Sequence, residues 1–194
     1  MNDYRFDMLE TMDFRAEDYG QEVARLLALD GAKEGPGWRV MSLAGSDAAC
    51  QQVRGEIQRQ RAQDLFPGAR SPQGAMSGLY LYFSCLDEAH TVAQDLETPE
   101  GSFWHGIMHR REPDAQNAAY WFRQVGKHPI FPALRDEARR LRFDTGSEWD
   151  PFEFIEFCDG SRQRPGSEEE AIARQVQLAE WQLLFDHCAK GNTR

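Results

Sequence analysis

Three stretches of this chain carry strong start signals for α-helices, and they constrain the fold more than any other feature. Thr98-Pro99-Glu100 joins a capping hydroxyl to a proline at the first helical position and an early acid. Asp150-Pro151-Phe152-Glu153 has the cap, the proline and the N3 glutamate of a capping box, and Ser167-Glu168-Glu169-Glu170 repeats the box without the proline. Each signal satisfies amide groups that a helix start leaves without partners. Apolar residues then recur at spacings of three and four, as in Leu79, Phe83, Leu86, His90 and Ala93. The pattern predicts an all-α fold of about seven or eight helices.

The expected helices cover residues 18–29, closed by Gly31; 46–64, capped by Ser46; 73–96, starting after Pro72; 98–112; 115–125, closed by Gly126; 131–141; a helix starting at 150; and 168–189. The last should turn Ile172, Val176, Ala179, Leu183 and either His187 or Cys188 inward. Residues 31–45 and 143–149 read as linkers, and 37–41 is the one segment that suits a short strand. With 194 residues, 41% of them hydrophobic, the whole chain 1–194 can close over one core as a single globular domain.

The net charge of −10 leaves no basic face for nucleic acid or an anionic membrane, so neither is an expected partner. The arginines at 54, 59 and 61 and at 135, 139, 140 and 142 have acids among or after them and suit solvated helix faces. No stretch approaches 18 apolar residues, and MNDYRFDMLE begins the chain with acids where a signal peptide carries a basic region. Cys50, Cys85, Cys158 and Cys188 form no zinc-knuckle spacing and read as reduced, mostly buried thiols. A soluble, acidic, cytoplasmic protein is the expectation.

The chemistry concentrates in the run FWHGIMHRRE. On a helix His105, His109 and Glu112 fall along one face, and two imidazoles four apart can chelate one ion. The run lacks the internal glutamate of HExxH. His90 on the preceding helix extends the apolar stripe and should point inward. It lies eight residues before Thr98 and His105 seven after it. At 1.5 Å per residue these are about 12 and 10.5 Å from the turn, so antiparallel helices bring both to one level. Asp87 and His109, each eleven residues from Thr98, match likewise. His90, His105, His109, Asp87 and Glu112 therefore form a candidate site for zinc, iron or manganese. Tyr120, Trp121 and His128 are candidate binding residues, since three consecutive aromatics at 120–122 cannot all face one core and His128 lies in a loop.

Residues 103–129, with Ala118, Ala119, Trp121 and Phe122 on the second helix, resemble one helical hairpin of the Sel1-like or tetratricopeptide repeat class. That likeness implies an antiparallel pair closed by small alanines and a Trp-Phe dipeptide, in a chain where no further repeat follows. The same stretch also looks like segments of uncharacterised bacterial and fungal proteins of unassigned activity, which supplies no chemistry. Two functional readings stay open: a His-carboxylate site, metal-binding or enzymatic with an unstated reaction, and a helical protein-interaction module whose histidines are structural. A small molecule or a protein is the partner in either case, and the oligomeric state is not fixed.

Overall fold

Helix boundaries in the computed structural model, which describes residues 13–45 and 47–191, follow the punctuation closely. Ser46 and the amino-terminal MNDYRFDMLE lie outside the described residues. Thr98 accepts a hydrogen bond from the Gly101 amide at 3.2 Å, Asp114 from Asn117 at 3.0 Å, Asp150 from Phe152 at 2.8 Å and Ser167 from Glu170 at 3.1 Å. These caps start α6 (Pro99–Arg111), α7 (Ala115–Val125), α9 (Pro151–Arg162) and α10 (Glu168–Ala189). Before them come α1 (Gln21–Leu27), α2 (Asp47–Gln58), α3 (Ala62–Leu65), α4 (Pro72–Tyr82) and α5 (Leu86–Gln94), and α8 (Phe131–Arg140) follows α7. The fold is all-helical, and residues 37–41 form no strand.

Among the described residues ten α-helices stand where the punctuation predicts seven or eight, because two long segments break. Residues 46–64 divide into α2 and α3. The stretch from 73 to 96 breaks at Ser84, which takes a left-handed φ of 63°. There the Cys85 amide reaches back to Tyr80 O at 3.0 Å and the Ser84 amide to Leu81 O at 3.0 Å, the paired bonds of a Schellman turn. Serine occupies the position glycine usually takes, and the fully buried Arg111 supports it. Its guanidinium donates to Ser84 Oγ at 2.8 Å, to Leu81 O and, at 3.1 Å, to Ser42 O.

The longest helix, α10, runs through the core against α4, α8 and α9. Trp181 stacks on Phe185 at 4.8 Å and meets Tyr82 at a tilt at 4.5 Å, and its indole N–H donates to Gly78 O at 2.7 Å. Leu184, Phe185 and Cys188 take the inward positions, while Leu183 is half-buried. Arg110 and Glu180 form an ion pair with both side chains fully buried, the guanidinium also lying 4.5 Å over Phe154. Losing either partner would strand a charge in the core at a cost of about 3–5 kcal/mol, so the pair fastens α6 to α10.

Outside α10, helices α5, α6 and α7 pack in sequence order, with α6 in the middle. Gly106 permits the close approach of α6 and α7: a Cβ there would meet Phe122 at 2.7 Å. Phe122, only 2% exposed, meets Phe103 edge-on at 5.3 Å.

The cysteines depart from the sequence expectation. Cys50 and Cys85 are joined in a disulfide that ties α2 to the start of α5, and only Cys158 and Cys188 remain as buried thiols. The bridged pair is separated by 35 residues, which leaves no local motif to read. On the chain-entropy account a loop of that size is worth about 4 kcal/mol. Among the described residues no helix is long and apolar enough to cross a membrane.

Candidate functional site

His90 on α5 and His105 and His109 on α6 converge, their ligating nitrogens all within 4.8 Å of one another. The His90 ring stands edge-on to His105 at 4.6 Å and to His109 at 5.8 Å, while His105 and His109 lie almost parallel at 5.5 Å. This is the meeting that the equal distances from Thr98 require. Which way the side chains turn about each helix axis is beyond the reach of that count.

His105 is the inner member, 1% exposed, and neither ring nitrogen has a hydrogen-bond partner. Leaving such a group unpaired in a protein interior costs about 1–3 kcal/mol. Trp121 covers its face, the two rings coplanar within 1° at 3.9 Å. The indole fixes the ring plane so that only the edges remain available. Burial, then the neighbouring His90 and His109, pushes the His105 pKa down to about 4, so the ring is neutral near pH 7 and keeps a lone pair.

At His109 the free nitrogen can be assigned. Nδ1 lies 3.1 Å from Glu112 Oε2. A carboxylate only accepts, so Nδ1 carries the hydrogen and Nε2 keeps its lone pair. A carboxylate behind an imidazole is the usual arrangement for orienting a histidine ligand. Glu112 thus sits beside the trio as a partner of His109. Asp87 does not join: it is exposed on the first turn of α5 and lines a cavity of about 560 Å³ with Glu112, Arg54 and the Cys50–Cys85 bridge.

Tyr120 is 52% exposed and touches Trp121 edge-on at 5.3 Å. His128 belongs to a second cluster that no sequence pattern assembles, since Glu100, His128 and His187 come from the start of α6, the loop after α7 and the end of α10. Here three of the four ring nitrogens have partners, and His128 Nε2 has none. Arg70 Nη1 lies 2.6 Å from His187 Nδ1, and His187 Nε2 lies 3.2 Å from Glu100 Oε1. Because a guanidinium only donates, Nδ1 accepts and Nε2 must carry the hydrogen toward Glu100. His128 Nδ1 likewise accepts from the Ile130 amide at 3.4 Å, which places the hydrogen on its buried Nε2.

Burial alone would raise the Glu100 carboxyl, but its own amide, Thr98, His187 and His128 hold it below the usual carboxylate range. Burial and the adjacent His187 push His128 down to about 4. Arg70, His187 and the ionised Glu100 carboxylate thus form a hydrogen-bond relay, and His128 Nε2 lies beside it without a hydrogen-bond partner. Compared with protein-family models, with curated proteins and with solved structures, the chain matches none, so its function rests on the chemistry of these side chains.

Proposed function

We propose that this protein binds a single transition-metal ion between α5 and α6, with His90, His105 and His109 as ligands and Glu112 orienting His109. The observation that carries the reading is His105, buried with both ring nitrogens unpartnered between two further imidazoles. A metal removes that cost, and a neutral imidazole is the form that ligates. Three nitrogen donors and no carboxylate in direct reach suit zinc, with ferrous iron next and oxygen-preferring manganese least.

Tetrahedral zinc needs nitrogens about 3.4 Å apart, and those of the trio lie within 4.8 Å of one another. Three protein ligands leave one position for water, the arrangement in which zinc generates a nucleophile for hydrolysis or hydration. His90 and His109 are only half-buried, which opens that position to solvent. The interaction-module reading draws little support from these residues: Trp121, its intended groove, is committed to the face of His105. In this reading the helical hairpin of residues 103–129 is a packing device that delivers Trp121 to His105.

Elemental analysis of protein purified without a polyhistidine tag from zinc-supplemented and iron-supplemented medium tests the proposal. About one ion per chain, retained through gel filtration, is the expected result. Protein that emerges metal-free and takes up no zinc on titration refutes it.

A further inference from the structure

The disulfide faces something that a purely structural crosslink does not need. Cys50 and Cys85 form part of the wall of the 560 Å³ cavity, and Glu88, near the start of α5, joins them there. The two sulfurs and a Glu88 carboxylate oxygen all lie within 4.8 Å of one another. The two oxygens of Glu88 divide their roles. Oε1 takes Arg54 Nε at 2.8 Å, while Oε2 is 4.0 Å from Cys50 Sγ. Arg54 therefore holds Glu88 from behind and leaves one oxygen turned to the sulfurs.

We infer that Cys50, Cys85 and Glu88 form a second, redox-gated site that takes a thiophilic divalent ion, zinc by preference, when the disulfide is reduced. A dithiol reductant attacks the bridge, one sulfur leaving as thiolate; the second thiol of the reductant then displaces the mixed disulfide. Two protein thiols and one cyclic disulfide result, and the two electrons come from the reductant. Zinc binding then releases both thiol protons and leaves two thiolates and one carboxylate on the ion, with the cavity supplying water as a fourth ligand.

The geometry makes this more than a pair of reducible sulfurs. Once the bridge opens, the Arg54–Glu88 pair still spans α2 and α5 beside the two thiols. Arg111 lines the same cavity, and cationic neighbours favour the thiolate over the thiol. The site is independent of the histidines: it uses sulfur donors, and its own carboxylate. In a reducing compartment such as the cytoplasm it would be open to metal, and in an oxidising one it would be closed by its own bond.

Cobalt provides the test, because thiolate ligation gives it a charge-transfer absorption that imidazole does not. Folded protein is divided into an oxidised sample and one reduced with dithiothreitol and desalted without oxygen, and both are titrated with Co²⁺. The reduced chain should take up about one ion more than the oxidised chain and develop the thiolate band, which zinc then bleaches. His105→Ala should leave this difference intact, which separates the outcome from the fate of the histidine site. Cys50→Ser and Cys85→Ser should each remove the extra ion and the band, and Cys158→Ser neither. Glu88→Gln should keep the band and weaken the affinity about tenfold or more. Should a serine variant not fold, the oxidised wild type is the control that isolates these sulfurs. The inference is overturned by a bridge that stays closed to dithiothreitol in the folded protein, by reduction without added uptake, or by a band that survives both serine substitutions.

Discussion

Two histidine clusters among the described residues hold similar groups at similar distances, yet the partners of their ring nitrogens differ. At His90, His105 and His109 the protein contributes a single hydrogen bond to a ring nitrogen, from His109 Nδ1 to Glu112, and it leaves Nε2 free. At Glu100, His128 and His187 the guanidinium of Arg70 and the Ile130 amide occupy the Nδ1 atoms, forcing hydrogens onto both Nε2 atoms. Proximity is thus a poor guide by itself. The tautomer, set by what lies on the far side of each ring, decides which nitrogen keeps its lone pair.

The largest effect expected from this contrast is on zinc affinity. His105→Ala should lower it by about 100-fold or more, because it removes the central donor, whereas His187→Ala should leave it unchanged. Titration calorimetry of both variants, with helix content checked by circular dichroism, would show it. Equal losses in the two variants would erase the distinction between the clusters. Glu112→Gln comes next, at about 10-fold to 100-fold, since an amide orients His109 less firmly than a carboxylate.

Much of the first cluster is legible in the amino-acid sequence. The Thr98 cap fixes the turn, and the count of eight and seven residues brings His90 level with His105. The count carries no azimuth, which is why it admits Asp87 although that residue is exposed and lines the cavity beside the disulfide. The break at Ser84 is invisible in sequence because neither glycine nor proline marks it; the left-handed turn is supported by Arg111, 27 residues away. The second cluster is equally hidden, assembled from residues 100, 128 and 187, and the disulfide spans 35 residues without a motif. Local caps and periods are written in consecutive residues, whereas these features depend on long-range packing.

A smaller effect, common to both clusters, is the pH dependence of the metal-free protein. His105 and His128 both sit at about 4 in the folded chain, against 6.5 for an unperturbed imidazole. Between those values the unfolded chain binds protons that the folded one refuses. The stability present above pH 6.5 should therefore decline as pH falls toward 4. Thermal melts over that range would follow it, and saturating zinc should raise the melting temperature above the window through mass action. A melting temperature that stays constant from pH 6.5 to pH 4 would contradict the buried neutral imidazoles.

The smallest expected change is a gain. Arg70→Met removes the donor to His187 Nδ1, so His187 can shift its hydrogen and offer Nε2 beside Glu100. Weak additional zinc binding, with Kd about 1 mM or tighter, should then develop at the second cluster. Its absence at millimolar zinc would mean that the His128 tautomer alone is enough to keep zinc from the second cluster.

The most direct measurement is long-range proton–nitrogen NMR of the five imidazoles, recorded without metal and with one equivalent of zinc. Nitrogens of His90, His105 and His109 should move together to the shifts of metal-bound imidazole, with His109 keeping its hydrogen on Nδ1. Those of His128 and His187 should stay as Nε2–H tautomers throughout. Zinc that moves none of the first three, or that moves His128 and His187 as readily, would contradict the account.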